Sequence, residues 1–280
     1  LYDITRSKFP TVDQKEVSWE TLDHYVTEAL NGMNGLPVYL ISSTQNSITS
    51  AIAVDKFRQK FPNTKQVMYD AVSYSGMLDA NQKSFGVRAI PAYRFDNAKV
   101  IVSIGADFLG TWISPEIYTK QYSKGRKISA KNPAMSKHIQ IEGIMSLTGG
   151  SADERYTAKP SQYGAVALAI LNGLNGSSIS NLPATLTQAI SKIVAELNAN
   201  KGNALVVCGS NDMYVQTIVN AINHQVGALG TTMTFGTTNN TRKGSDTEMG
   251  AFVNALKNGQ VGGVLFCDSN PVYDSVYGTA

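Results

Sequence analysis

Four aspartates that follow predicted strands are the acidic residues best placed to do chemistry. They are Asp70, Asp107, Asp212 and Asp268. Two carboxylates held close together could act as a general acid and a general base. Aspartate is also a preferred N-cap residue, because its side chain accepts hydrogen bonds from the first free N–H groups of a helix. Since helix capping is the commoner task of aspartate at the end of a strand, we favour it over acid–base catalysis.

Polar loops after the predicted strands are the second feature that could do chemistry. They span residues 43–46, 105–107, 209–212, 236–241 and 268–271. Backbone N–H groups at helix starts suit phosphate or pyrophosphate, so these loops could hold a large nucleotide-like cofactor or enclose an empty crevice. The sequence contains no G-x-G-x-x-G motif, no P-loop and no G-x-S-x-G elbow. Their absence argues against the common nucleotide-binding fingerprints and against serine hydrolase chemistry.

Cysteine and histidine, the usual ligands of zinc and iron–sulfur clusters, are few and scattered. Cys208 and Cys267 lie far apart, and neither belongs to a C-x₂-C cluster. We therefore predict no metal site and two buried free thiols, with a disulfide between neighbouring strand ends as the alternative. His24, His138 and His224 lack metal-ligand spacing, so each is expected to be structural or on the surface.

Strands that alternate with helices must position these residues. Residues 99–112 begin with an apolar, β-branched run that Gly105 ends, which is typical of a strand buried on both faces. The same order of strand, small residues and polar side chain recurs at residues 204–214 and 263–274. In open parallel sheets, ligands bind beyond the carboxyl ends of the strands. The pattern predicts an α/β fold with doubly wound, mostly parallel sheets in two Rossmann-like units.

Two domains are predicted, residues 1–175 and 176–280, with a connector rich in glycine and serine between them. The chain starts at Leu1 without a methionine and stops just after a strand motif, so we expect a fragment whose second domain is incomplete. Amphipathic helices are predicted at residues 17–31 and 47–60. Their apolar residues, Trp19, Leu22 and Val26 in the first and Ile48 in the second, are expected to be buried.

Composition bounds the class of protein. The 280 residues are 42% hydrophobic and 16% charged, which indicates a globular chain. The net charge of +3 is too weak and too dispersed to indicate nucleic-acid binding, and the densest basic segment, residues 120–131, is interpreted as a solvated turn after a helix. No apolar run approaches the ~18 residues that a transmembrane helix needs. No signal peptide is recognised, and no direct membrane span is expected.

Several segments, in order along nearly the whole chain, resemble the molybdopterin oxidoreductase family. Residues 17–30, which open with Ser18-Trp19-Glu20, are similar to a helix of that family, and residues 100–107 are similar to the strand and glycine loop that follow it. Residues 151–169 resemble a further segment of the family. Residues 263–272, which contain Asn270-Pro271, resemble its cofactor loop. The resemblance implies a molybdopterin-oxidoreductase-like fold.

The sequence departs from this family where the family binds its cofactor. Glu142-Gly143 stands where the family has Asp-Pro-Arg, and Pro160-Ser161-Gln162-Tyr163 replaces Pro-Gly-Thr-Asp, so the carboxylate that reads the guanine is lost. The molybdenum ligand should fall within residues 72–86, which contain no cysteine, and the amino-terminal iron–sulfur cysteines are absent. The resemblance with these departures implies a cofactor-free relative with no catalytic residue and no bound metal.

Residues 105–112 and 145–155 resemble one branch of the family, the large periplasmic iron–sulfur subunit of alternative complex III. That complex is a respiratory quinol:electron-acceptor oxidoreductase. The resemblance implies a non-catalytic scaffold at the periplasmic face of the inner membrane. Its implied partners are the iron–sulfur domain of the same polypeptide and the other subunits of the membrane complex, with the iron–sulfur clusters held beyond residue 280.

Two other functions stay open. One is a freestanding nucleotide-binding module, which would fold alone as residues 1–280. The other is an active molybdopterin-dependent oxidoreductase fragment that binds a pterin dinucleotide, with Ser73, Ser75 or Ser84 as the metal ligand. The residues that would then line the cofactor are Ser43, Thr44, Asp107, Glu142, Asn270 and Pro271.

Overall fold

The computed structural model describes residues 3–33, 35–130, 133–178 and 182–278. Its strands are β1 (Thr11–Val12), β2 (Lys15–Glu16), β3 (Val38–Ser42), β4 (Thr64–Met68), β5 (Ile90–Tyr93), β6 (Val100–Ile104), β7 (Lys137–Glu142), β8 (Glu154–Thr157), β9 (Ala204–Cys208), β10 (Met233–Asn239) and β11 (Gly263–Cys267). Its helices are α1 (Trp19–Asn31), α2 (Ile48–Lys60), α3 (Ser75–Phe85), α4 (Pro115–Arg126), α5 (Leu147–Gly150), α6 (Tyr163–Leu174), α7 (Ala184–Ala199), α8 (Met213–Gln225), α9 (Asp246–Lys257) and α10 (Pro271–Asp274).

The chain forms two compact units, and the first is built from both of its ends. One unit is Leu1–Ala71 with Gly244–Ala280, and the other is Val72–Lys243. The predicted boundary between residues 175 and 176 lies inside the second unit, because α6 and α7 on either side of it pack into one hydrophobic core. The predicted connector lies partly outside the described residues, which stop at 178 and resume at 182.

The first unit contains a three-stranded parallel sheet in the order β11-β3-β4. The central strand β3 is buried along its whole length, as its apolar composition predicts for a strand with neighbours on both sides. Helix α9 packs on this sheet through Phe252, whose ring centroid lies 4.9 Å from that of Tyr39. A short antiparallel pair, β1 and β2, precedes α1.

Helix α1 begins where predicted, but its apolar face is not buried. The Ser18 hydroxyl caps the helix by accepting a hydrogen bond from the Thr21 N–H at 3.1 Å. No residue of α1 is buried, and Trp19 is 68% exposed. In α2, Ile48 is 79% exposed. The predicted burial was therefore wrong for Trp19 and Ile48, whereas Leu22 and Val26 are half-buried. Periodic apolar residues define a stripe on a helix without specifying what packs against it.

The second unit is doubly wound. Its four-stranded parallel sheet, in the order β8-β7-β6-β9, has helices on both faces. Helices α6, α7 and α8 pack on one face, against Val102 and Ile141 among others. Helices α3 and α4 pack on the other face, against Ile101 and Leu205. All of β6 is buried, as predicted, and an α/β fold with mostly parallel sheets is confirmed.

The basic segment at residues 120–131 is a solvated turn only in its second part, since residues 127–130 are exposed after the end of α4. Lys120, Lys124 and Arg126 lie in α4, whereas Lys131 lies outside the described residues. Arg126 pairs with Asp153 through both of its terminal nitrogens, with Nη2 at 2.7 Å from Oδ1. Within the described ranges, no helix has the length and apolarity needed to cross a membrane.

Candidate functional site

Three strands of the second unit end side by side and bring glycines and carboxylates to one edge of the sheet. Because β6, β7 and β9 are parallel, their carboxyl ends meet at this edge. Two cavities lie here and share Gly105, Asp107 and Thr111. The first, of about 640 Å³, extends towards Glu142 and Tyr163. The second, of about 560 Å³, extends towards Trp112 and Arg242.

Asp107 follows β6 and holds two neighbouring segments in place. Its Oδ1 accepts hydrogen bonds from the Thr148 backbone N–H at 3.1 Å and from the Thr148 hydroxyl at 2.7 Å. Its Oδ2 accepts from the Thr111 hydroxyl at 3.3 Å. The carboxylate thus ties the first turn of α5 to the loop after β6. The nearest task of Asp107 is structural.

The other strand-end aspartates have separate tasks. Asp212 caps α8 by accepting from the N–H groups of Tyr214 and Val215, as predicted. Asp70, in the first unit, accepts from Thr44 and from the Gly244 N–H, so it joins two loops rather than capping a helix. Asp268 has a positive φ of 47°, and the helix that follows it has Asn270 at its N-cap position. The capping prediction is therefore correct for Asp212 and wrong for Asp70 and Asp268.

Glu142, at the end of β7, is a buried carboxylate that is saturated with donors. Arg155 Nε lies 2.7 Å from its Oε1, and the Ser146 hydroxyl lies 2.7 Å from its Oε2. Gln140 Nε2 and the Ser146 N–H also donate to it. Burial raises the pKa of this carboxyl, but the hydrogen bonds from Arg155, Ser146 and Gln140 outweigh that effect and hold it below its usual range. Glu142 therefore stays ionised and internally paired.

A row of buried polar side chains leads along β7 to Glu142. His138, Gln140 and Glu142 alternate along the strand and lie on one face. His138 Nε2 is 3.2 Å from Gln140 Oε1, and its Nδ1 is 3.1 Å from the Tyr122 hydroxyl. Burial lowers the pKa of His138 to about 4, although the hydrogen bond with Gln140 opposes the shift. His138 is thus a neutral structural residue, as expected. In the sequence, this row is indicated by polar residues at every second position of an otherwise apolar strand.

Tyr163 fills the space beside the glycine that ends β6. A Cβ built on Gly105 would lie 2.3 Å from Tyr163 Cε2, and Gly105 has a φ of +63°. The Tyr163 hydroxyl accepts a hydrogen bond from the Gly143 N–H at 3.3 Å. On the other side, a Cβ on Gly209 would lie 2.2 Å from the Gly105 carbonyl oxygen. Glycine is required at this edge by the approach of protein groups.

The second cavity contains features that sequence reasoning missed. Trp112 lines it and is 5% exposed, and its indole N–H has no hydrogen-bond partner in the part of the chain that the structure describes. The same holds for Nε of Arg242 within the described residues. Ile113, another lining residue, has a φ of 57°, which is a strained conformation for a β-branched side chain. Trp112 ends the segment 105–112 noted in the sequence, but no motif marks Ile113 or Arg242 or relates them to Trp112.

The other four candidate cofactor residues lie in the first unit, after β3 and β11. Ser43 and Thr44 follow β3, and Thr44 Oγ1 donates to Asp70 Oδ2 at 2.8 Å. Asn270 and Pro271 follow β11, and Pro271 is buried as the first residue of α10. Since β3 and β11 are neighbouring parallel strands, these four residues come to one edge of the three-stranded sheet. Asp107 and Glu142 belong to the second unit.

The two cysteines, and the serines considered as metal ligands, have other environments. Cys208 is a buried free thiol whose pKa burial raises to about 12, but Cys267 is exposed, so the prediction of two buried thiols was half wrong. Ser75 Oγ donates to Asp79, and Ser84 Oγ accepts from Asn220. Among the residues placed by the structure, no three His, Cys, Asp or Glu side chains form a metal-binding group.

The surroundings of Asp107 and Glu142 do not fit a pterin dinucleotide, the cofactor of the alternative function that the resemblance left open. Pyrophosphate is held by free N–H donors and positive charge. Beside Glu142, the N–H groups of Thr148 and Ser146 already donate to the carboxylates of Asp107 and Glu142. The ring of Tyr163 occupies the approach to Gly105.

Comparisons with known proteins support only the general fold of the chain. No protein-family model matches the chain, and no curated protein matches it. Among solved structures, it is similar to a chain of the formyltransferase/hydrolase complex FhcABCD from Methylorubrum extorquens, solved with methylofuran. The TM-score is 0.57 and the identity 12%, over 89% of this chain and 74% of that one. Acetylene hydratase from Pelobacter acetylenicus gives a TM-score of 0.43 at 14% identity, over 76% of this chain and 32% of that one.

Proposed function

We propose that this chain is a non-catalytic scaffold within a respiratory quinol:electron-acceptor oxidoreductase of the alternative complex III type. In this proposal it holds the iron–sulfur part of its polypeptide and neighbouring subunits at the periplasmic face of the inner membrane. Electrons pass through the iron–sulfur clusters and not through this chain. The segments that resemble the molybdopterin oxidoreductase family suggest the class of complex, and the crevice geometry supports the non-catalytic role.

The observation that carries the proposal is the internal use of the crevice carboxylates. Asp107 accepts three hydrogen bonds from Thr111 and Thr148. Glu142 is paired with Arg155 and bonded to Ser146. A carboxylate that acts on a substrate needs an oxygen free to reach it. Here the oxygens stabilise loops, and Tyr163 stands where the family has the aspartate that reads the guanine.

An apolar rim at the same edge supports a role in assembly. Ile144, Met145 and Leu147 follow β7 closely and are 84%, 73% and 64% exposed. Contiguous exposed apolar groups of this kind mark interaction surfaces, because their burial by a partner removes apolar area from water. The exposed face of α1, with Trp19 at its start, is a second such surface in the first unit.

Metal and pterin analysis tests the non-catalytic role. The protein is purified from its native membranes, and molybdenum is measured by elemental analysis, with pterin fluorescence measured after oxidative extraction. The expected result is a molybdenum content far below one atom per chain and no pterin signal. A molybdopterin enzyme purified from the same cells is the positive control. Stoichiometric molybdenum with pterin would overturn the proposal in favour of an active oxidoreductase that uses a pterin dinucleotide.

Purification of the tagged chain from membranes tests the assembly role. The chain is expected to carry iron–sulfur electron paramagnetic resonance signals and other subunits with it. Ile144→Ser together with Met145→Ser should reduce the recovery of those subunits, since the rim would be less apolar. Ile117→Ser is the matched control, because Ile117 is 55% exposed on α4 and is not one of the rim residues. Recovery of the chain alone, without iron–sulfur signals, would count against the scaffold role.

A further inference from the structure

Strand β11 has the composition of a central strand but lies at the edge of its sheet. Residues 263–267, GVLFC, form a continuous apolar run, which is the pattern of parallel strands that have a neighbour on each side. Among the described residues, however, β11 pairs only with β3. Phe266 is 55% exposed, and Cys267 is exposed as well. A strand of this composition is short of one neighbour.

The outer edge of β9, in the second unit, shows how this chain protects such an apolar strand. Side chains bond to the backbone groups that β9 directs away from β6. Asn223 Oδ1 accepts from the Val206 N–H at 3.0 Å, and Asn223 Nδ2 donates to the Val206 carbonyl oxygen at 2.8 Å. Thr232 Oγ1 donates to the Ala204 carbonyl oxygen at 2.7 Å. No backbone group of this edge is left for a further strand at Val206.

The two remaining outer strands of the parallel sheets carry charge. Strand β8 contains Glu154 and Arg155. Strand β4 contains the exposed Lys65, and its Met68 carbonyl oxygen accepts from the Ser245 N–H at 2.8 Å. Charged side chains on an edge strand discourage pairing with another chain. In the part of the chain that the structure describes, β11 has neither a charged side chain nor a side chain bonded to its backbone.

We propose that β11 is the docking edge for a second copy of this chain, with the β11 strands of the two copies paired antiparallel about a two-fold axis. The N–H and C=O groups that alternate residues of β11 direct away from β3 then bond to those of the other copy. The two three-stranded sheets become one continuous sheet that ends at β4 on both sides. Pairing about a two-fold axis uses the same surface on both copies, so it stops at the dimer. This assembly goes beyond the scaffold role, which concerns other subunits.

Charge favours a second copy as the occupant. Residues 261–267 contain no charged side chain, so two identical edges can approach without the repulsion that like charges on facing strands produce. Asp268 follows the strand. In an antiparallel pair centred on Leu265, the two Asp268 residues would lie about 20 Å apart along the strands, at about 3.4 Å per residue. The nearest acidic residues of the two copies therefore stay separated.

The size of the contact sets the expected affinity. Each copy contributes five strand residues and the partly exposed ring of Phe266. An aromatic side chain buries about 150–250 Å², so the contact is smaller than the roughly 800 Å² per partner of a standard interface. Interfaces of this size are weak, so we expect a dissociation constant in the micromolar range.

Sedimentation velocity of the 280-residue chain, at about 1 to 300 µM, measures the dimer. Phe266→Lys places a charge on the edge and removes the apolar ring, so it should weaken the dimer about tenfold or more. Ile52→Lys is the matched control, because Ile52 is 51% exposed on α2 of the same unit, and it should leave the dimer unchanged. Circular dichroism checks that both variants fold. A monomer at every concentration, or equal weakening by both substitutions, would overturn the proposal.

A spin label on Cys267 tests the geometry without changing the sequence. Cys267 is exposed and Cys208 is buried, so a nitroxide reagent labels Cys267 selectively. In a pair centred on Leu265, the two Cys267 Cα atoms would be about 14 Å apart. Double electron–electron resonance should therefore give a label distance below about 30 Å, and an excess of unlabelled chain should remove this signal. A dimer in which the labels are farther apart would place the contact elsewhere and overturn the assignment.

Discussion

The ring of Tyr163 lies against Gly105, so that a Cβ on this glycine would be 2.3 Å from Tyr163 Cε2. Helix α6 begins at Tyr163, and strand β6 ends just before Gly105. The contact therefore joins a helix start to a strand end where open α/β sheets place their ligands. A ligand that approaches this strand end from the cavity beside Glu142 must first displace an aromatic ring.

Gly105→Ala should lower the free energy of unfolding by about 3 kcal/mol, partly through the positive φ and partly through overlap with Tyr163. Gly86→Ala is the matched control. Gly86 has a φ of 75° and open space around its Cβ position, so this variant should lose only about 1 kcal/mol. In a Tyr163→Ala background, the cost of Gly105→Ala should fall towards the control value. Urea unfolding of the four variants measures this, and an unchanged cost would mean that Tyr163 does not constrain Gly105.

Asp107→Asn should destabilise the protein by about 2 kcal/mol. The amide oxygen can still accept from the Thr148 N–H and hydroxyl, but more weakly than a carboxylate does, and the amide nitrogen cannot accept from the Thr111 hydroxyl. Asp212→Asn is the control. It alters an exposed cap of α8, where asparagine is as good a cap as aspartate, so the loss should be well under 1 kcal/mol. Thermal and urea unfolding compare the two. A neutral or stabilising effect of Asp107→Asn would indicate that the carboxylate is kept for a ligand at the expense of stability.

His138 should make the protein less stable in mild acid. Its pKa is lowered to about 4 in the folded state, against about 6.5 when unfolded. The unfolded chain thus binds the proton more readily between these values. The contribution of the neutral ring is complete above pH 6.5 and falls as the pH drops towards 4. Between pH 7 and 5 we expect a loss of about 2 kcal/mol.

Unfolding free energies at several pH values test this slope. His138→Gln should flatten the slope between pH 7 and 5, whatever its effect at neutral pH. His24→Gln, which removes a histidine with a 75% exposed side chain, should retain it. Equal slopes for wild type and His138→Gln would contradict the prediction.

The two thiols should react very differently with a thiol reagent. Cys267 is exposed, whereas Cys208 is buried with a pKa raised to about 12, so little thiolate forms there at neutral pH. One thiol per native chain should react quickly, and the second only in denaturant. Cys267→Ser should abolish the fast reaction, and Cys208→Ser should leave it intact. Two fast thiols, or none, would contradict the structure.

The strands at the core of the sheet could be predicted because buried parallel strands consist of continuous runs of apolar, β-branched residues. Residues 100–104 and 204–208 have this composition, and both lie where expected. Strand β8 escapes that reasoning because it contains Glu154 and Arg155 and lies at the edge of the sheet, where charged residues are common. The unit boundaries could not be predicted, since local composition does not reveal that β11 returns to pair with β3.

The candidate site was predictable in position but not in content. Gly105 and Asp107 were placed correctly at a strand end by the switch from apolar to small and polar residues. Asp107 bonds Thr148 rather than a ligand because α5 packs beside it. That segment lies far from β6 in the sequence, so its proximity could not be predicted. Trp112 and Arg242 meet at one cavity only through the tertiary fold, so no spacing rule could pair them.

The first unit cannot complete its sheet until nearly all of the sequence has been synthesised. Strand β3 is made early, but its neighbour β11 comes from the far end of the chain, after the whole second unit. The second unit can complete its core first, while one edge of β3 waits unpaired. An unpaired strand edge is a template for aggregation, and long-range pairing is slow. A chain whose synthesis stops before residue 263 would therefore contain a folded second unit and a first unit in which one edge of β3 is unpaired and prone to aggregation.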